Sequence, residues 1–165
     1  MSAYKVIFNP KAGNGTGGKE AKKLSEILKN DDLEYIDATG EVDYAQLFSQ
    51  MKENDAVIIS GGDGTLNHFV NDTKDITYNN EVYYFATGTG NDFLLDIGGK
   101  KGELIKITDY LNNLPSVFVN GKEYKFLNGV GYGIDGYCCE VGDKLRNAGK
   151  KINYTAIAIK GLLFH

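Results

Sequence analysis

Apolar and polar positions along the first two thirds of the chain switch repeatedly between strand and helix spacing. Tyr4 to Phe8 is a short β-forming run that stops at Asn9-Pro10. Past a glycine-dense loop, Ala21, Leu24, Ile27 and Leu28 fall on one face and predict a helix. Leu33 to Ala38 predicts a second strand. Asp43 can cap a second helix, in which Tyr44, Leu47, Phe48 and Met51 keep i, i+3, i+4, i+7 spacing. Ala56 to Ser60 is an unbroken apolar run, the pattern of a strand covered on both faces. A third helix follows with Leu66, Phe69 and Val70 inward, then a fourth strand from Val82 to Ala86. Leu104, Ile107, Leu111 and Leu114 mark a further helix. Four such alternations predict an α/β fold, a Rossmann-like parallel sheet with helices on both faces.

After Pro115 the period changes. Asn120-Gly121 between two alternating runs in "SVFVNGKEYKF" is a strong hairpin signal. "LNGVGYGID" predicts a third, glycine-broken strand, and Asn153 to Phe164 a helix that is apolar nearly all round. Such a helix needs partners on several sides, and three strands supply few. The expectation is therefore two domains, 1–114 and 115–165, the second β-rich and incomplete. Cys138 and Cys139, the two cysteines of the chain, are adjacent, with no disulfide or metal spacing. They fall on a segment expected to be buried, as small core residues of a reducing compartment.

Composition narrows the function classes. The 165 residues are 42% apolar with two prolines, which is globular composition. A net charge of −4 argues against general nucleic-acid binding. Residues 1–30 carry six Lys against two Glu, residues 31–60 one Lys against eight acids, and Lys144 to Lys160 five basic residues and no acid. Such runs are ordinary solvated surface or a face for anionic lipid or phosphate. "MSAYKVIFNP" is too short and too soon interrupted for a signal peptide, and no run of about 18 apolar residues exists to span a membrane. These features predict a cytoplasmic protein.

Three glycine loops carry the candidate chemistry. In "NPKAGNGTGGKE" (residues 9–20), Gly13, Gly15 and Gly18 fit a dinucleotide fingerprint, and Gly13 to Lys19 the start of a P-loop. Four residues separate Phe8 from Gly13, too many for the first, and Glu20 stands where the second needs Ser or Thr. A solvent turn and a phosphate-facing loop both remain open. "SGGDGTLN" (residues 60–67) is sharper: it follows a buried strand and opens a helix, and Gly61, Gly62 and Gly64 let backbone N–H groups approach an anion. Asp63 among those amides would repel phosphate unless it ligates a cation or takes a proton, or unless it caps its own turn. "ATGTGNDF" (residues 86–93) repeats the design with Gly88, Thr89, Gly90, Asn91 and Asp92. Loops at the carboxyl ends of parallel strands converge on one crevice.

"NPKAGNG", "GGDGTLN" and "GTGNDF", in this order, resemble the catalytic domain of the diacylglycerol kinase and sphingosine kinase superfamily of lipid kinases. "FLNGVGYGIDGYCCE" resembles the start of that superfamily's second domain, where a β-sandwich begins. The resemblance covers nearly the whole chain and implies a loop 1 that lies against ATP. It implies transfer of the ATP γ-phosphate to a lipid hydroxyl, with Mg²⁺, in a protein that visits membranes peripherally; whether it forms a homodimer stays open. Asn9, Gly13, Gly62, Gly64, Thr65, Asn67, Thr89 and Asn91 are implied nucleotide contacts. Asp63 is the implied acidic catalytic residue, Asp92 part of the network around phosphates and metal. Asp135 matches a position near the acceptor's polar head, or is an Asp in a strand turn. Two departures stand out: His68 where Glu is usual, and Leu94-Leu95 where Ala-Arg is usual. Lys11 or Lys19 would then supply the missing charge, while His68 reads as a surface or packing histidine. Members of the superfamily are longer, so a nucleotide-binding remnant without kinase activity is the rival reading, and an NAD kinase, which shares a GGDGT loop, is another.

Overall fold

The computed structural model describes residues 3–131, 133–149 and 153–164. Two compact units divide the chain, residues 1–128 and 129–165. In the first, the order is β1 (Ala3–Phe8), α1 (Ala12–Gly15), α2 (Gly17–Ala21), α3 (Leu24–Ile27), β2 (Asp32–Asp37), α4 (Tyr44–Gln50) and β3 (Ala56–Gly61). It continues with α5 (Asp63–Thr73), β4 (Glu81–Ala86), α6 (Asp92–Asp96), β5 (Leu104–Lys106), α7 (Thr108–Leu111), β6 (Ser116–Val119) and β7 (Lys122–Lys125). The second unit holds α8 (Ile134–Asn147) and α9 (Tyr154–Phe164).

Five strands form one sheet in the order β2-β1-β3-β4-β5. The first four are parallel, and β5 pairs antiparallel with β4. Every residue of β3 is buried, which explains its unbroken apolar run. Ile7, Val57, Ile59, Val82 and Tyr84 face one side, against Tyr44 and Phe48 of α4, Leu66, Phe69 and Val70 of α5, and Phe93 and Leu94 of α6. Val6, Ile58 and Phe85 face the other side, against Leu24 of α3. Full burial of Phe69 alone contributes about 1.5–3 kcal/mol. As expected, Asp43 caps α4, its Oδ1 accepting the Gln46 N–H at 2.9 Å. β2 is one edge strand of the sheet, blunted by exposed Asp32, Glu34 and Asp37.

Four local expectations differ from the fold. The helix after loop 1 breaks between α2 and α3, so the face predicted from Ala21 to Leu28 loses phase and Ile27 is exposed. Gly17 and Gly18 at its start are weak helix formers. Leu104, predicted to open a helix, opens β5. An edge of β4 is available there, and antiparallel pairing of Tyr83 to Phe85 with Leu104 to Lys106 satisfies its backbone groups. The helix at that place is only the single turn α7.

In the second unit, the segment predicted as a glycine-broken strand ends instead in α8. Ile134, Tyr137, Cys138, Val141 and Leu145 have helical spacing that the glycines of "GVGYG" obscured. Cys139 is consequently exposed and Cys138 only half-buried, not core residues. α9 is helical as expected. A Cβ on Gly142 would meet the Tyr154 ring at 2.8 Å and one on Gly161 would meet Ile134 Cδ1 at 2.3 Å, so α8 and α9 pack antiparallel. Tyr132, Lys150 and Lys151 lie outside the described residues, and with them part of the basic run from Lys144 to Lys160.

The hairpin β6–β7 forms as predicted, with Asn120 and Gly121 both at positive φ in a two-residue turn. It is a separate two-stranded sheet. Asn71 of α5 pins it: Nδ2 donates to Lys125 O and Oδ1 accepts the Lys125 N–H, both at 2.9 Å.

Candidate functional site

The strand order places a topological switch between β1 and β3, because the chain moves from β1 to β2 on one side and returns for β3 on the other. Open α/β sheets bind ligands in the crevice outside such strand ends. Asn9 occupies that point. Its N–H donates to Ser60 O at 3.0 Å, its Oδ1 accepts the Lys11 N–H at 2.9 Å, and its Nδ2 donates to Thr65 Oγ1 at 3.3 Å. One side chain thus shapes the turn of loop 1 and ties it to the first turn of α5. Gly13 follows at φ 56, and a Cβ there would lie 2.5 Å from Thr87 O. Only glycine lets loop 1 lean so closely on the third loop.

Loops 2 and 3 meet backbone to backbone. A Cβ on Gly88 would lie 2.5 Å from Gly62 Cα and 2.6 Å from Asn91 Oδ1. Thr87 and Gly88 both donate their N–H groups to Gly61 O, at 2.8 and 3.2 Å. Asn91 is buried in the left-handed region and its Nδ2 donates to Gly88 O at 3.0 Å. Among the described residues, Ser60 Oγ, Thr87 Oγ1 and Asn91 Oδ1 are buried without a hydrogen-bond partner. All three stand at the carboxyl ends of β3 and β4, where apolar packing gives way to a polar crevice.

Asp63 does not cap its own turn. Its Oδ2 accepts the Asp92 N–H at 3.1 Å and its Oδ1 the Phe93 N–H at 3.0 Å, so it caps α6 across the crevice. Asn128 Nδ2 stands 3.5 Å from Oδ1. Each carboxylate oxygen has further acceptor capacity after one such bond. Asp92 comes close on the same side: a Cβ on Gly90 would lie 3.6 Å from Asp92 Oδ1 and 3.8 Å from Asp63 Oδ2. Among the described residues no cluster of three or more His, Cys, Asp or Glu could hold a metal. Two carboxylates are nevertheless what Mg²⁺ needs when phosphates and waters complete its octahedron. Behind the loops, burial pushes the Tyr84 phenol up, with the Asp63 charge adding to it. Its hydroxyl donates to Gly61 O at 3.2 Å.

Beside the glycine loops opens a cleft of about 810 Å³. Asn9, Thr65, His68 and Asp72 line one wall, the last three spaced along one face of α5, and Glu41 and Asp43 the other. The acids make it a poor place for phosphate and a good one for neutral hydroxyl and amine groups. His68, expected at the surface or in packing, is exposed on this wall. Gly64 and Thr89 are exposed on loops 2 and 3, while Asn67 on α5 accepts the Asn71 Nδ2 at its carbonyl. Asp135 lies in the first turn of α8, in the second unit. Lys11 and Lys19, expected to bring charge, are exposed on loop 1 and α2. The cation that reaches loop 3 is Lys101, Nζ to Gly88 O at 3.4 Å, and no motif in the sequence pointed to it. The Asn128 approach to Asp63 was equally hidden, since 65 residues separate them.

Fold and site together define an α/β protein whose three glycine-rich loops meet at a strand switch point. The chain matches the diacylglycerol kinase catalytic domain over residues 3–117, and it belongs to that family. It is 29% identical over 122 residues to "Diacylglycerol kinase" of Bacillus subtilis (strain 168), covering 68% of this chain and 39% of that protein. It is 27% identical over 154 residues to "Putative lipid kinase YtlR" of the same organism, covering 83% and 50%. The chain thus spans half or less of these relatives' length. No helix among the described residues is long and apolar enough to cross a membrane.

Proposed function

We propose that this chain carries the nucleotide-binding and catalytic part of an ATP-dependent lipid kinase, with a diacylglycerol-like alcohol as acceptor. The observation that carries the reading is the junction of the three loops: Gly13 on Thr87, Gly62 on Gly88, and Asp63 bonded to the backbone of Asp92 and Phe93. Family membership over residues 3–117 supports it; in this proposal residues 1–114 are the catalytic domain and 115–165 open a second.

In this reading the polyphosphate lies over loops 2 and 3, where glycines leave amides unshielded. The nucleoside extends into the cleft between the loop after β2 and α5, with Asn9, Thr65 and His68 beside it. Asp63 accepts the proton that the acceptor hydroxyl loses on attacking the γ-phosphorus, as the bond to the β-γ bridging oxygen breaks. The two backbone N–H bonds hold its carboxylate still while it does so. Asp63 and Asp92 would hold Mg²⁺, whose chemistry is to neutralise charge on the transferring group. Asp135 is the candidate for the acceptor's polar head, and contact with the membrane is peripheral.

The test is phosphate transfer from labelled ATP to dispersed diacylglycerol, with sphingosine and NAD as competing acceptors. Labelled phosphatidic acid is the expected product, dependent on Mg²⁺ and absent from Asp63→Asn. Transfer to NAD instead, or ATP binding without transfer to any acceptor, would reject the lipid kinase activity for this chain.

A further inference from the structure

We propose that Lys101, outside every glycine motif, is the cation that holds the nucleotide's phosphate tail on loop 3; the inference rests on the nucleotide reading above. Lys101 sits in the tight turn between α6 and β5, where Lys100 N–H donates to Glu103 Oε2 at 2.9 Å and Glu103 N–H to Lys100 O at 3.1 Å. That turn sends the lysine back to the crevice. Its Nζ lies 3.4 Å from Gly88 O, the carbonyl that also accepts from Asn91 Nδ2. Gly88 is the residue packed on Gly62, and its neighbour Thr87 is the one packed on Gly13. The ammonium therefore stands at the junction of all three loops.

Its present bond is weak. A contact of 3.4 Å to a neutral carbonyl is at the long limit for a hydrogen bond. Among the described residues no carboxylate lies within ion-pair distance of Lys101. Glu20 feels its charge, together with those of Lys23 and Lys19, and is held below the usual carboxylate range first by its hydrogen bond to Lys23. Three lysines thus share one glutamate beside loop 1, and Lys23 already claims it at 2.7 Å. An ammonium so placed exchanges a carbonyl for phosphate oxygens with a large gain, because charge-assisted bonds are about twice as strong as neutral ones. It also adds to Mg²⁺ in offsetting the negative charge that Asp63 and Asp92 bring beside a polyanion.

The inference predicts selectivity by phosphate number. ATP, ADP, AMP and adenosine are titrated calorimetrically, in the presence of Mg²⁺ and without lipid, into the chain and its Lys101→Met and Lys101→Arg variants. Lys122→Met, at the start of β7, serves as the charge control, and thermal melts check folding. Lys101→Met should weaken ATP about tenfold or more while leaving adenosine within twofold, and should flatten the dependence of ATP affinity on salt. Lys101→Arg should restore most of the loss, and Lys122→Met should change nothing. ATP affinity unchanged in Lys101→Met, or adenosine weakened as much as ATP, overturns the role of Lys101 alone. No saturable ATP binding by the unsubstituted chain overturns it together with the nucleotide reading.

Discussion

The Asp63 carboxylate, at the start of α5, accepts the backbone N–H of Phe93 at 3.0 Å, thirty residues along the chain. With the bond from Asp92 N–H it joins the second glycine loop to the third and caps α6 from outside that helix. The residue that is the candidate proton acceptor is thus also a structural tie.

Asp63→Asn separates the two roles only in part. The amide keeps one acceptor oxygen and turns an NH₂ group toward a backbone N–H, so one of the two cap bonds is lost. The expected result is complete loss of phosphate transfer with a stability loss of about 1–2 kcal/mol. Nucleotide affinity should fall by no more than a few-fold, as backbone amides and Lys101 keep their phosphate contacts. Urea titration and calorimetry measure the two effects independently. A variant as stable as the parent would show that the bonds to α6 contribute nothing.

The glycines of loops 2 and 3 should not respond alike to a single added methyl. On Gly88 it would meet Gly62 Cα at 2.5 Å, a backbone atom that cannot move aside, whereas around Gly64 nothing lies within 4 Å. Gly88→Ala is expected to destabilise the fold by about 1–3 kcal/mol and to spread the two loops. Gly64→Ala should melt within a few degrees of the parent and reduce ATP affinity through the crevice alone. Equal melting temperatures for the two variants would contradict the close approach of the loops.

How far the sequence reaches can be judged from the same places. The parallel strands were legible because β3 is covered on both faces and the four apolar residues Ala56 to Ile59 run unbroken. The cap at Asp43 and the Asn120-Gly121 turn were legible because each is a local hydrogen-bonding or φ requirement. β5 was not, because three residues carry no period, and an open edge of β4 decided their state. α8 was hidden by the glycines that precede it. The three loops were legible as glycine-rich segments following strands, but not the contacts that join them. Asp63 to Phe93, Lys101 to Gly88 and Asn128 to Asp63 depend on chain reversals, which spacing along a sequence does not record.

Asn71 is one such reversal whose strength can be measured. It exchanges two hydrogen bonds of 2.9 Å with the backbone of Lys125, and its Nδ2 also donates to Asn67 O. A two-stranded sheet is marginal without support, and Lys74 Nζ to Glu123 O at 3.0 Å adds one more contact to the same strand. Asn71→Ala leaves the Lys125 N–H and carbonyl without these partners. Amide exchange across Ser116 to Lys125 should quicken by at least tenfold, with α5 and the parallel strands unchanged. Uniform quickening of the whole unit would mean that the hairpin and sheet unfold together.

The last expectation concerns alkaline pH. Burial, with the Asp72 carboxylate second, pushes the Tyr44 phenol up to about 12. In the unfolded chain the same group ionises near 10. The folded state therefore binds the proton more tightly, and the stabilisation is whole below pH 10. It declines as pH rises from 10 to about 12, because only the unfolded chain gains by ionising in that window. Tyr44→Phe keeps the ring against Phe69, an edge contact at 5.4 Å, and removes the proton. Urea midpoints between pH 8 and pH 11.5 should fall less steeply for Tyr44→Phe than for the parent. The residual slope in that variant includes Tyr84 and Tyr83, whose phenol the Glu81 hydrogen bond, with burial second, raises to about 12, and Tyr4, Tyr35 and Tyr78, which burial also pushes up. Parallel declines in the two proteins would show that the Tyr44 hydroxyl reaches solvent in the folded state.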